Sequence, residues 1–243
     1  MPRIPDSLRA LLTNLIDYAG LYPPAGLALP DVLENYVAYL TSAESWMLNR
    51  LVLPAAKLPE VRLRDNWHVT LLVEDEPGPL PAQVETLETK LTHGLSLPTY
   101  CEAPIDGILR GAFAKVRTGG LSPEAVPQSE ALADFLCAAA SRRIAFKATA
   151  GLHHPIRAAM HGFVNMFVAA AFAWQGAGGD VILNILDDED AHAFRFLDGE
   201  LRWRERSIAT VAIQSARRDF AHSFGSCSFA EPVADLRALG WLM

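Results

Sequence analysis

Short apolar runs with strand character alternate with stretches of helical period along most of this 243-residue chain. Leu8, Leu11, Leu12, Leu15 and Ile16 recur at helical spacing behind Asp6, which reads as an N-cap. Leu33, Tyr36, Val37 and Leu40 do the same after Pro30, as do Val84, Leu87 and Leu91 within 80–94, and Leu132, Phe135, Leu136 and Ala139 within 129–142. Each set predicts a helix with one buried face. Pro155 and Pro232 stand where the first turn of a helix tolerates proline. Strand candidates lie between them at 17–22, 49–54, 67–74, 99–104, 112–118, 144–150 and 224–229. Strands alternating with helices imply parallel pairing, because a parallel connection needs a crossover of roughly a dozen residues. The pattern therefore predicts an α/β fold, a TIM-like β/α barrel with seven or eight parallel strands, forming a single domain over 1–243.

Two segments depart from this rhythm. The apolar stretch 158–174 is interrupted by His161, Gly162 and Asn165 and is shorter than the ~20 residues that span a bilayer, so it reads as a buried helix. After a short helix in "DVILNILDDED", the run "FRFLDGELRWRE" reads as a β-hairpin turning on Asp198-Gly199. That register sets Phe194 opposite Trp203 and Phe196 opposite Leu201, with Arg195 opposite Arg202 on the other face. The hairpin, at about 192–206, reads as a late insertion that replaces or covers an eighth unit.

Alternate side chains of a strand point to opposite faces. Four of the strand candidates divide into one apolar face and one polar face. The polar sets are Phe113, Lys115 and Arg117; Ala145, Lys147 and Thr149; Tyr100 and Glu102; and His68, Thr70 and Glu74. In a β/α barrel the outer face packs on helices, so the polar sets point inward. Residues near the C-terminal ends of the strands line the mouth, where such barrels place their sites. Two lysines and an arginine against one or two carboxylates leave excess positive charge, which suits an anionic small molecule. The same residues could instead form a salt-bridge network that only fills the barrel, although such networks rarely add net stability.

Composition narrows the function. The net charge of −7 argues against nucleic acid as a partner. Neither a signal peptide nor a membrane span is evident. Cys101, Cys137 and Cys227 are odd in number and far apart, without metal-like spacing, which suits a reduced, cytoplasmic protein. No cofactor motif is present, and a homo-oligomer is compatible with the sequence.

The segments "KVRTGG" (115–120) and "KATAG" (147–151) share a lysine followed after three residues by glycine. Glycine just past a strand permits the turn and lets backbone N–H groups approach an anion. "FKATAGL" (146–152) resembles the F-[VI]-K-T-[SA]-T-G-F segment of deoxyribose-phosphate aldolases, whose barrel-strand lysine forms a Schiff base with the substrate carbonyl. "KVRTGG" is similar to the second lysine and Gly-Gly turn of those enzymes, although here it precedes the other lysine strand. "HHPIRAAMHGF" replaces the segment that follows in the aldolases. The resemblance implies Lys147 as nucleophile and Lys115 as the cation that lowers its pKa.

Glu102 is placed as general base or as the partner orienting a lysine, and His153 as a second proton carrier. Arg117, Gly119, Gly120 and Thr149, with Ser226 and Ser228 of the last strand, are the candidate anion-binding set. His154 and His161, seven apart, could share a helix face, but HExxH spacing is absent and no metal is assigned. Tyr22-Pro23-Pro24 reads as a stiff loop or lid near the mouth, along with Asp17 and Gly20. The expected activity is that of an aldolase-like lyase acting through a lysine imine on a small anionic, phosphorylated carbonyl compound. The alternatives are a metal-assisted hydrolase using His153, His154, Glu102 and Glu74, and a non-catalytic anion-binding barrel.

Overall fold

A computed structural model describes residues 3–109 and 111–242. Numbered in chain order, the strands are β1 (Ile16–Tyr18), β2 (Leu48–Pro54), β3 (Val69–Leu72), β4 (Val84–Thr89), β5 (Thr99–Cys101), β6 (Phe113–Arg117), β7 (Phe146–Thr149), β8 (Phe194–Phe196), β9 (Glu200–Trp203), β10 (Arg206–Ala209) and β11 (Ala221–Ser226). The helices are α1 (Asp6–Leu12), α2 (Leu29–Leu40), α3 (Ser129–Ser141), α4 (Phe163–Trp174), α5 (Gly179–Leu186), α6 (Thr210–Asp219) and α7 (Ala230–Ala238). Eight strands close into an all-parallel barrel in the order β1-β11-β7-β6-β5-β4-β3-β2. The fold is the expected TIM-like β/α barrel.

The segment 80–94 is not a helix. It supplies β4, the eighth stave, which pairs with β3 and β5. Val84, Leu87 and Leu91 happen to fall at helical spacing, but "VETLET" also alternates, with Thr86 and Glu88 facing inward. Threonine and valine favour a pleated surface, and the Thr86 hydroxyl meets that of Thr70 at 2.7 Å inside the barrel. The late insertion therefore replaces no barrel strand. It is a three-stranded antiparallel sheet, β8-β9-β10, with the expected pairing of Phe194 with Trp203 and Phe196 with Leu201. It sits against the first helix: the Ser7 N–H donates to the Leu197 carbonyl, and the Ser7 hydroxyl accepts from the Leu197 N–H. Asp188 anchors it, accepting from Trp203 Nε1 and twice from the Arg204 guanidinium at 2.8 Å.

Helices cover only part of the barrel. Between β2 and β6 the described residues contain no α-helix, only short 3-10 turns at Ala55–Glu60 and Ile105–Gly107. Leu58, Val61, Leu95, Leu97 and Ile105 from these connectors pack on the core in place of helices. On the other side, α4 is buried over eleven of its twelve residues, as the apolar run 158–174 predicts. No helix of the described residues is long and apolar enough to cross a membrane. Pro155 lies in an irregular segment ahead of α4, while Pro232 does sit in the first turn of α7. Asp6 is the first residue of α1 and Pro5 its N-cap.

Candidate active site

The β6–β7 register sets Lys115 beside Lys147 and Arg117 beside Thr149. Both lysines therefore point into the barrel, as the alternation requires. Lys147 Nζ donates to Asp17 Oδ2 and to Glu88 Oε1, each at 2.5 Å. The other Glu88 oxygen lies 3.0 Å from Lys115 Nζ, which is also 3.0 Å from Glu102 Oε2. Glu102 Oε1 then reaches Arg117 at 3.5 Å. A single chain of alternating charge thus runs Asp17, Lys147, Glu88, Lys115, Glu102, Arg117. It begins in the closed interior, where Asp17 and Lys147 are each 1% exposed, and ends on the rim with Arg117 at 55%.

Asp17 is saturated. Besides Lys147 it accepts from Asn49 Nδ2 at 2.6 Å, the Arg50 N–H at 3.2 Å and the Ser223 hydroxyl at 2.8 Å. Such complete hydrogen bonding lets a buried charge persist, because each lone pair lost from water is replaced. Burial alone would drive the Glu88 proton affinity up, but Lys147 and Lys115 more than reverse it and hold the carboxyl down at about 2. Burial likewise favours loss of the Lys147 proton, yet Asp17 and Glu88 overcome it and push that ammonium above the usual lysine range.

This arrangement changes two expectations. Three carboxylates match three cations, so the floor carries no excess positive charge. Nor does Lys115 lower the pKa of Lys147, because Glu88 stands between the two and binds both. Lys147 is held as a cation beneath the site, and Lys115 is the amine that faces the cavity.

That cavity, about 840 Å³, opens at the C-terminal ends of the strands. Its polar lining includes Glu88, Glu102, Lys115, Arg117, Thr149 and His153, and Val52, Pro54, Leu72 and Leu121 supply apolar wall. Gly120 borders it as well, as do Lys90 and the exposed Glu74. A larger hollow, about 980 Å³, lies at the opposite end among Arg9, Asn14, Arg50, Glu85 and His222. The charge chain leads away from it. Its innermost polar pair, Tyr100 and His222, is closed on itself by a 2.8 Å hydrogen bond, and burial, helped by Arg217, holds the imidazole neutral down to about pH 4. We assign the site to the mouth.

No family model matches this chain, and no curated protein or solved structure does. The functional reading therefore rests on this geometry.

Not every expected residue joins the site. The Ser226 hydroxyl donates to the Ser228 carbonyl and accepts from the Ser228 N–H, and the Ser228 hydroxyl accepts from Glu231 N–H at the start of α7. Both hydroxyls close a strand-to-helix turn and neither lines the cavity. Gly119 is buried against Gly151, where an added Cβ would come within 2.8 Å of the Gly151 Cα. It permits close packing of the two rim turns. The histidines diverge. His153 stays at the cavity, 3.5 Å from Glu231, whereas His154 turns to Asp235 at 2.6 Å. Buried His161, its proton affinity lowered chiefly by burial, lies between Arg157 and the Pro127 carbonyl. Among the described residues no three His, Cys, Asp or Glu side chains converge as a metal site.

Glu88 and Ser223 escape the sequence reading, and Asp17, expected beside the mouth, lies instead at the buried end of the charge chain. Asp17 lies inside β1, which runs from residue 16 rather than 17 and ends at 18, and Ser223 lies in a final strand that starts three residues earlier than expected. The available signal for Glu88 was the alternation in "VETLET" after a proline-rich loop, which competes with the apolar helical spacing.

Proposed function

We propose that this protein is a barrel enzyme of the aldolase-like lyase class, binding a small anionic carbonyl compound at the mouth through an imine on Lys115. The observation that carries the reading is Lys115 itself. It is the lysine on the cavity floor, flanked by one carboxylate committed to Lys147 and a second, Glu102, that is more open. Glu102 is positioned to take the ammonium proton and return it, the role of a general base at hydrogen-bond distance. Lys147 serves as the fixed cation that keeps Glu88 ionised, so Glu88 stays in place while Lys115 reacts. Arg117 and Lys90 on the wall supply the charge for a carboxylate or phosphate on the substrate.

A second reading is favoured by the full pairing of the floor charges. In it Lys115 remains an ammonium, Glu102 removes a proton next to the carbonyl, and the ammonium stabilises the enolate. One experiment separates the two. The protein is incubated with glyoxylate, pyruvate and dihydroxyacetone phosphate in turn, reduced with borohydride, digested and read by mass spectrometry. The imine reading expects a mass gain on the peptide containing Lys115. No gain on the Lys115 or Lys147 peptide, with solvent-hydrogen exchange into one of these probes, selects the enolate reading instead. With neither, the enzymatic proposal falls.

A further inference from the structure

The phenol of Tyr22 is absent from the charge chain, yet it belongs to the same cavity. Its ring lines the mouth beside Pro23 and Pro24, in the loop that follows β1. Its oxygen is fully buried and has no hydrogen-bond partner. A buried hydroxyl without a partner loses its hydrogen bonds to water and gains none in return, so folded proteins keep few of them. The other such atom here, Trp67 Nε1, belongs to a ring packed edge-on against Tyr36 of α2, away from the mouth. Among the described residues, Tyr22 is the one whose unpartnered polar atom belongs to a side chain lining the mouth.

Burial, and after it the nearby Glu88 carboxylate, pushes the Tyr22 hydroxyl up to about 12. It keeps its proton at any ordinary pH and is suited to donate rather than accept. The loop is fixed locally: the Tyr22 N–H donates to Ala19 O, and the Gly26 N–H donates to Tyr22 O. A rigid donor whose partner is missing from the protein is a donor held for a ligand.

We infer that Tyr22 is a catalytic residue whose hydroxyl donates to the carbonyl oxygen of the compound bound at Lys115. The inference rests on the imine reading above. The Lys115 nitrogen, its proton taken by Glu102, adds to the carbonyl carbon and forms the C–N bond. The C=O π pair moves to oxygen, where the Tyr22 O–H meets the developing negative charge. Two of the three original ammonium protons pass by way of Glu102 to that oxygen, which leaves as water. The third hydrogen and the positive charge remain on the iminium nitrogen, and Tyr22 ends as it began. The substrate class is thereby narrowed to compounds whose carbonyl oxygen points toward the β1 loop while their anionic group lies toward Arg117.

The test compares wild type with Tyr22→Phe in cyanoborohydride trapping of glyoxylate and pyruvate, followed on the Lys115 peptide, with thermal unfolding of both proteins. The inference expects trapping at least tenfold slower in Tyr22→Phe, together with an unchanged or higher Tm. Equal trapping rates overturn it and leave the imine reading standing. A lower Tm overturns it as well, since the hydroxyl would then have a partner within the fold. No trapping in wild type overturns the imine reading and takes this inference with it.

Discussion

Lys115 and Lys147 stand side by side on adjacent staves and hold the two oxygens of one carboxylate, Glu88. The shared anion lets two ammonium groups occupy neighbouring inward positions without facing each other bare. It also fixes their division of labour: the second carboxylate of the deeper lysine is the fully buried Asp17, whereas that of the shallower one is the more open Glu102.

Lys147→Met removes the cation that both Asp17 and Glu88 bind, and leaves two buried carboxylates with less compensation. Breaking a buried pair from one side costs about 3–5 kcal/mol. We expect a loss of that size in urea or guanidinium unfolding, and a clearly smaller loss for Lys115→Arg, which preserves charge next to the cavity.

Lys115→Arg keeps the cation but cannot form the trappable imine, so it is expected to abolish borohydride labelling on this peptide. Glu102→Gln retains the shape without the base and should slow the same labelling by about 10²–10⁴-fold, the usual contribution of a positioned acid–base group. Single-turnover trapping with both variants checks the pair of expectations.

Two strongly shifted groups, His222 and Glu88, dominate acid stability, and buried His161, also lowered, adds to the upper part of the profile. His222 is depressed from 6.5 to about 4, mainly by burial. The unfolded chain therefore binds more protons than the folded one between those values, and stability falls as pH drops from about 6.5 towards 4. The loss is at most about 3 kcal/mol. Glu88, lowered from 4.5 to about 2, adds a further loss below about pH 4.5. His222→Gln should flatten the upper part of this profile and leave the lower part intact, as read from denaturant midpoints at each pH.

Gly151, at φ +82°, leaves no room for a Cβ, which would come within 2.8 Å of the Gly119 Cα. Gly151→Ala meets the left-handed backbone penalty and a contact at 2.8 Å, and Gly119→Ala meets the contact alone. Both should lower Tm, Gly151→Ala more. Because Gly151 lines the cavity, its variant should also slow trapping at Lys115.

The sequence makes the barrel legible through alternation. Lys115, Lys147, Glu102 and Arg117 declare their face because their strands are apolar on the other side. The hairpin is legible down to its register, since Asp198-Gly199 sets the turn. Glu88 is not legible because its strand offers apolar residues at helical spacing, and only pairing with two neighbouring strands overrides that. The balance of charge is hidden for the same reason: without Glu88 and Asp17 the lysines look unpaired. The serine cradle fails differently, since Ser226 and Ser228 find nearer partners in their own turn.

Asp17 enters with the first strand of the chain and Ser223 with the last, while Lys147 arrives from between them. Asp17 lies 130 positions from the ammonium that neutralises it and 206 from the hydroxyl that completes its hydrogen bonding. A nascent or truncated chain that lacks its final strand would hold Asp17 one hydroxyl short, in a cylinder still open to water along one seam. The last strand therefore does two things at once: it shuts the cylinder between β1 and β7, and it completes the solvation of the carboxylate buried beside it.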